Sequence, residues 1–261
     1  MLELTVLILT FNERENLPRT LEALRWAPKV LLVDSFSTDE TLEIGGRYSN
    51  VRIVQRAFES FAAQCNFGLT QITSPWVLSL DADYILTSEF VAELRALESS
   101  SDAVGYSADF HYNVCGRRLR HTLYPPRTVL YQRALASYRD EGHGHRVAVK
   151  GRVLPLTAKI DHDDRKPLSR WIRSQDGYSK IEAPHLLATP DAELSTQDRL
   201  RKRIFFAPAV MFLYLLLGRG LFLDGWVGWY YVLQRTFAEM LLSLRLLTER
   251  EGLEGEVGSR K

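Results

Sequence analysis

The chain has 261 residues, 46% hydrophobic and 25% charged. That is enough apolar material for one large α/β domain with an appendage, and too much for wholesale disorder. A net charge of +1 excludes a generalised nucleic-acid binder, which carries a clearly basic face. With only Cys65 and Cys115, no disulfide framework holds the fold, and a reducing compartment is the simpler setting.

Leu4 to Leu9 is a nearly continuous apolar run rich in branched residues, the pattern of a strand buried on both faces. Thr10-Phe11-Asn12-Glu13 follows, and Leu17, Leu21 and Leu24 then recur at helical spacing over Arg14 to Leu24, with Asn12 and Glu15 placed as a possible helix cap. Val30 to Val33 is a second buried strand ending at Asp34. Ser37 opens a second helix through Ile44, with Glu40 completing a capping box. Val51 to Val54 reads as a third strand and Phe61 to Ile72 as a helix. Trp76 to Leu80 is a fourth buried strand, ending at Asp81-Ala82-Asp83, and Thr87 or Ser88 caps a helix through Leu97. Strands alternating with helices imply a mostly parallel sheet with right-handed crossovers. Ligands of such sheets sit beyond the carboxyl ends of the strands, where the three polar clusters fall.

The middle, Tyr106 to Ile160, holds short strand-like pieces, a Pro125-Pro126 turn and the polar stretch Arg139 to Arg146. His162 to Lys166 follows, then a helix over Leu168 to Leu187. Arg199 to Arg203 is basic apart from Leu200 and leads into the apolar run Ile204 to Leu217, broken by Gly218-Arg219-Gly220. That run is short of the ~20 residues of a comfortable span. The stretch Leu221 to Leu233 carries Trp226, Trp229, Tyr230 and Tyr231, and Phe237 to Leu247 is amphipathic. Cations beside Trp- and Tyr-rich helices suit a membrane interface, so peripheral membrane contact is expected through 199–247. A buried helical hairpin or an oligomer contact is the alternative. The sequence carries no signal for an oligomeric state.

Asp81 and Asp83, at i and i+2 past a buried strand, would share a face if extended and address one ion. Paired hard oxygen donors suit Mg²⁺ or Mn²⁺, which also take oxygens from a diphosphate. The competing reading is a plain turn with a helix cap. Asp34 offers an acceptor to a uracil-type N–H, or simply starts a turn.

Thr-Phe-Asn-Glu after the first strand, Val-Asp-Ser-Phe-Ser-Thr-Asp-Glu-Thr after the second and Leu-Asp-Ala-Asp-Tyr after the fourth resemble family 2 glycosyltransferases, which have the GT-A fold. The resemblance covers Leu2 to Leu97, and the order of three motifs makes it specific. It implies that Thr10, Asn12, Glu13 and Asp34 line a nucleoside pocket with Ser37 and Asp39 nearby. Gln64 and Asn66 would lie near the donor, although the familiar Lys or Arg before them is missing. Asp81 would approach ribose or metal, Asp83 the metal, and His162 would be a further metal ligand or a plain loop histidine. Arg165 and Lys166 would meet the diphosphate, or form an exposed basic pair. The family inverts the anomeric centre, which requires a base. Asp140 and Glu141 are the candidates, with Glu141 preferred because a tight turn presents it. A looser likeness, on Asp34 to Ser37, His162 and the C-terminal region, is to the inner-core lipopolysaccharide glucosyltransferase type.

The expected architecture is α/β: a GT-A-type mostly parallel sheet flanked by helices, with a C-terminal helical membrane-associating appendage. Residues 1–166 would form the catalytic domain, 167–248 the helical region and 249–261 a flexible tail. The expected partners are a nucleotide-sugar donor and a glycolipid or lipid-linked glycan acceptor, with no nucleic acid. The start of the chain lacks a signal-peptide pattern, which suits the cytoplasmic face of a bacterial inner membrane. The rival readings are a nucleotidyltransferase, which wants a Gly-rich phosphate loop absent after the first strand, and a non-catalytic binding subunit.

Overall fold

The structure is a computed structural model that describes residues 2–98, 102–141 and 144–253. In chain order the elements are β1 (Leu4–Thr10), α1 (Leu17–Ala23), β2 (Val30–Asp34), α2 (Thr41–Gly46), β3 (Val51–Gln55), α3 (Phe61–Thr70), β4 (Trp76–Leu80), β5 (Tyr84–Leu86) and α4 (Ser88–Ala96). They continue with β6 (Ala103–Ala108), β7 (Phe110–Val114), β8 (Arg117–Arg118), β9 (Arg127–Gln132), β10 (Ala136–Glu141), β11 (Gly144–Val149), β12 (Arg152–Pro155) and β13 (Ile160–His162). Helices α5 (Leu168–Ala188), α6 (Thr196–Arg201), α7 (Ala207–Leu213) and α8 (Trp226–Glu251) complete the described chain. Contacts divide it into two compact units, Met1–Arg118 with Thr122–Lys166, and Leu119–His121 with Pro167–Lys261.

The first unit is built on a seven-stranded sheet of order β12-β6-β9-β4-β1-β2-β3. Strands β4, β1, β2 and β3 pair in parallel, and β9 runs antiparallel to both β4 and β6. Because side chains alternate across a strand, β1 feeds two layers. Val6 and Ile8 pack with Leu32, Leu78, Leu21 and Phe90 on one face, while Leu7 packs with Val33, Val77, Cys65 and Leu69 under α3 on the other. Gly68 lets α3 approach closely, since a Cβ there would stand 2.6 Å from a Leu7 methyl. Burial of Cys65 and separation from Cys115 leave both thiols free.

Several helix starts differ from expectation for local reasons. The first helix begins at Leu17 after Asn16, with Pro18 in its opening turn, where the missing N–H costs nothing. The second begins at Thr41, and neither Ser37 nor Glu40 caps it, because the Ser37 hydroxyl is bound to Asp34 instead. Ser60 and Thr87 are true caps, accepting from Ala63 N and Phe90 N at 3.1 and 3.2 Å.

In the second unit α8 is one helix of 26 residues rather than two pieces. It packs on α5 through Arg245–Asp176 at 2.9 Å and around Ala183, Leu186, Leu242 and Leu246. The break after α7 is a π turn over Tyr214–Gly218 followed by Gly220 at φ 68. No helix among the described residues is long and apolar enough to cross a membrane. Glu249–Glu251 belong to α8, and residues 254–261 of the expected tail lie outside the described residues.

Candidate active site

The parallel register sets Thr10 beside Asp34, and the loops beyond them are knitted together. Asp34 is fully buried. Its carboxylate accepts from Thr10 Oγ1 at 3.0 Å, Ser37 N at 2.9 Å, the Ser37 hydroxyl and Gln55 Nε2 at 3.2 Å, filling its acceptor positions. Asn12 N donates to Ser37 Oγ at 2.8 Å and Asn12 Oδ1 accepts from Thr38 N at 2.7 Å. Glu13 N donates to Thr41 Oγ1 at 2.7 Å, and Asp39 accepts from Thr41 N at 3.0 Å and Arg14 N at 3.3 Å. A nucleobase N–H can reach Asp34 only by replacing one of these donors. Two residues on this rim adopt left-handed backbone, Asn12 at φ 54 and Phe36 at φ 58. The second is unusual for an aromatic side chain and leaves Phe36 exposed beside the rim.

Asp81 and Asp83 do not extend from β4 with a shared face. Tyr84 N donates to Asp81 O at 3.1 Å, closing a turn that sends the two carboxylates different ways. Asp83 is buried, with Oδ2 3.2 Å from Nε2 of His162 on β13. Burial favours protonation of Asp83, but His162 and Lys166 outweigh it and hold the carboxyl well below its usual range. Burial likewise opposes charge on His162, and Asp83 prevails, raising the imidazole above its ordinary value. Asp83 Oδ1 and His162 Nδ1 are buried without hydrogen-bond partners among the described residues. Donors about 2.1 Å from an octahedral ion stand roughly 3 Å apart when adjacent, so Asp83 and His162 fit two neighbouring positions of a small divalent cation. No group of three His, Cys, Asp or Glu at metal spacing occurs among the described residues, and the Asp81 charge adds to the rise of the His162 imidazole.

Beside this pair, Lys166 Nζ lies 2.8 Å from Glu13 and 3.9 Å from Asp164. Burial works against the ammonium, yet Glu13, Asp83 and Asp164 raise its affinity for the proton. Burial pushes Glu13 up to about 7, Lys166 opposing and Asp83 adding to the rise. Arg165 binds Asp163 at 2.8 Å, which also holds Arg19. Glu13, Arg165 and Lys166 are therefore committed to one another's neighbourhood as internal partners.

Asp81 instead lines a cleft of about 520 Å³ with Ser79, Tyr84, Arg127, Tyr138 and His145. His145 stacks on Phe61 at 5.5 Å, and burial holds its imidazole below the ordinary range. Asp140 accepts from Ala62 N at 3.1 Å, closing the start of α3, so its carboxylate serves the fold. Asn66 grips both backbone groups of Tyr138 at 2.9 Å, and Gln64 is fully buried, donating to Ser35 Oγ and Arg56 O. Gln64 Oε1 is buried without a hydrogen-bond partner among the described residues. Glu141 ends β10 opposite Gly144; its side chain, with His143, lies outside the described residues. Sequence reasoning missed Tyr84, Tyr124, Arg127 and Tyr138. Only the Pro125-Pro126 turn beside Arg127 was a signal for any of them.

The model of glycosyl transferase family 2 matches residues 5–151. A lipopolysaccharide core biosynthesis glycosyltransferase of Rhizobium meliloti, LpsC, is 26% identical over 243 residues, 87% of this chain and 85% of that protein. An uncharacterised glycosyltransferase of Rickettsia typhi is 26% identical over 109 residues, 41% of this chain and 37% of that protein. Among solved structures, S. aureus TarS 1–349 in complex with UDP-GlcNAc superposes with a TM-score of 0.51 at 16% identity, covering 96% of this chain and 92% of that one. Glucosyl-3-phosphoglycerate synthase from Mycobacterium tuberculosis, bound to phosphoglyceric acid, gives 0.51 at 16% identity over 72% and 81%. These likenesses establish a shared GT-A fold.

Glu13 gives the site a pH signature. Its folded value of about 7 exceeds the ordinary 4.5, so the native state keeps a proton that the unfolded chain has lost. The resulting stabilisation is complete below about pH 4.5 and disappears as pH rises through 7, on the order of 3 kcal/mol. Urea unfolding at pH 5 and pH 8 is expected to show wild type losing stability relative to Glu13→Gln. Parallel pH dependence in the two proteins would exclude this role for Glu13.

Proposed function

The chain belongs to glycosyl transferase family 2 and is a glycosyltransferase of that type, and we propose that it transfers a sugar, with inversion, from a nucleoside diphosphate sugar to a lipid-linked or lipopolysaccharide-type acceptor at a membrane surface. A UDP-sugar is the donor we favour. The observation that carries the reading is the Asp83–His162 pair, buried with Oδ2 and Nε2 3.2 Å apart, next to the rim organised by Asp34.

In this reading the nucleoside lies over the ends of β1 and β2, where Thr10, Asn12 and Ser37 border it, and Asp81 addresses the donor from the turn after β4. Asp83 and His162 are the residues that would hold Mg²⁺ or Mn²⁺, which when bound neutralises charge on the leaving diphosphate. The acceptor hydroxyl attacks C1 in line while a base on the β10–β11 hairpin takes its proton. Glu141 is the residue assigned that role, Asp140 being engaged with α3. The likeness to LpsC over 87% of the chain supports an acceptor of the lipopolysaccharide type.

The second unit supports membrane contact. Along α8, Trp226, Tyr230, Leu233, Phe237, Met240 and Leu244 recur at alternating four- and three-residue steps and are all exposed, one continuous apolar stripe. Phe205 and Phe206, 77% and 64% exposed, stand beside exposed Arg199 and Arg203. The rest of the basic cluster is spent internally: Arg201 on Glu239 at 2.7 Å and Lys202 on Asp191 at 2.6 Å. We assign the stripe and the phenylalanines to an anionic lipid surface.

Asp83→Asn is expected to weaken Mn²⁺-dependent UDP-sugar binding by about 100-fold, and wild-type affinity to rise from pH 6 to pH 8 as His162 loses its proton. Calorimetry showing equal Mn²⁺ dependence in both proteins would remove the metal from Asp83. Glu141→Gln should lower turnover by roughly 10²–10⁴-fold with donor affinity unchanged, measured as nucleoside diphosphate release with membrane extract. Full activity in that variant would reassign the base. Co-sedimentation with vesicles containing anionic lipid should fall at least ~10-fold when Phe205 and Phe206 are both replaced by Asp. Unchanged sedimentation, or a dimer lost in the variant, would point to a protein interface instead.

A further inference from the structure

Arg127 opens β9, and its guanidinium has no hydrogen bond or ion pair among the described residues. Its recorded contact is the Tyr124 ring, 5.0 Å away, and its buried Nε has no partner. A half-buried guanidinium carries five N–H donors, and leaving them unused where water is partly excluded is costly. Nothing in the donor-site reading employs it.

Its place in the sheet indicates what it meets. Strand β9 is antiparallel to β4, with Leu78 paired to Leu130, and Arg127 and Asp81 both line the cleft beyond that pairing. The start of β9 therefore lies at the edge where β4 ends, in the cleft that contains Asp81, His145 and Arg146. The nucleoside rim lies on the other side of β4, over β1 and β2. A donor running from that rim to Asp81 presents its sugar toward β9, β10 and β11, so the cleft beyond Asp81 is the acceptor's half. Among the described residues that line it are Arg127, Arg146 and Asp81, with His145 held below its ordinary range by burial. Asp81 does not reach Arg127 at ion-pair distance among the described residues.

We propose that this cleft is an acceptor subsite for an anionic saccharide, with Arg127 binding a phosphate or carboxylate carried by the acceptor sugar. This assignment rests on the glycosyltransferase reading above and adds the charge class of the acceptor to it. A guanidinium pairs with such an oxyanion through two parallel N–H bonds, a geometry that lysine cannot reproduce. Stacking of Arg127 on Tyr124 fixes the fork before the ligand arrives.

The test is calorimetry on the full chain with glucose 6-phosphate, glucuronate, glucose and UDP as probes, using wild type, Arg127→Lys and Arg127→Gln, each checked for an unchanged Tm. Wild type should bind at least one charged sugar ten-fold or more tighter than glucose. Arg127→Gln should lose that preference, Arg127→Lys should keep only part of it, and UDP affinity should stay within two-fold in all three. A ten-fold loss of UDP affinity in Arg127→Gln would assign the guanidinium to the donor and overturn the proposal. So would a wild type indifferent to charge on the sugar. Absence of UDP binding in wild type would count against the donor reading alone, since the charged-sugar preference is measured without nucleotide.

Discussion

A carboxylate with no exposure to water holds the rim of this sheet in shape. Burying Asp34 is unfavourable unless its oxygens are fully engaged, and Thr10, Ser37 and Gln55 engage them from three different strand ends. Each of those groups is thereby fixed relative to the others. Ser37 passes the constraint to Asn12, and Thr41 passes it to Glu13. The first strand turn, the second strand turn and the start of α2 thus form one hydrogen-bonded body. A donor pocket built on it is preorganised, which lowers the ordering cost of binding.

A second set of charges, across the sheet end from the first, is held by complementarity of sign. Asp83, Asp163 and Asp164 meet His162, Lys166, Arg19 and Arg165. Buried ions of this kind persist only when paired, so the segment from His162 to Lys166 is bound to the turn after β4 and to the loop after β1. The family's acidic motif here is split by its own turn. Asp83 is turned inward to His162, while Asp81 lines the cleft.

The parallel half of the fold was legible because both faces of its strands are covered. Trp76 to Leu80 and Val30 to Val33 are apolar without alternation, and each ends at an acidic residue where the sheet ends. Helix starts were legible only where a hydroxyl had no better partner. Thr87 caps as its position suggests, whereas Ser37 has the same local signature and is claimed by Asp34. The catalytic region after β4 was the least legible, since its contacts join residues far apart in sequence. Asn66 with Tyr138, Asp140 with Ala62 and Lys166 with Glu13 leave no periodic trace. Polar residues that looked available for a ligand, Asn66 and Asp140 among them, are instead fastening β10 to α3.

The span between Glu13 and Lys166 also sets an order of assembly on the ribosome. Strands β1 to β4 and their helices come from the first eighty residues and can pack as they emerge. The turn bearing Asp83 lacks its counter-ions until His162 and Lys166 have been made, after the sheet strands β6, β9 and β12. The charges around Asp83 are therefore compensated only once β13 and the segment after it, the last of the first unit, are in place.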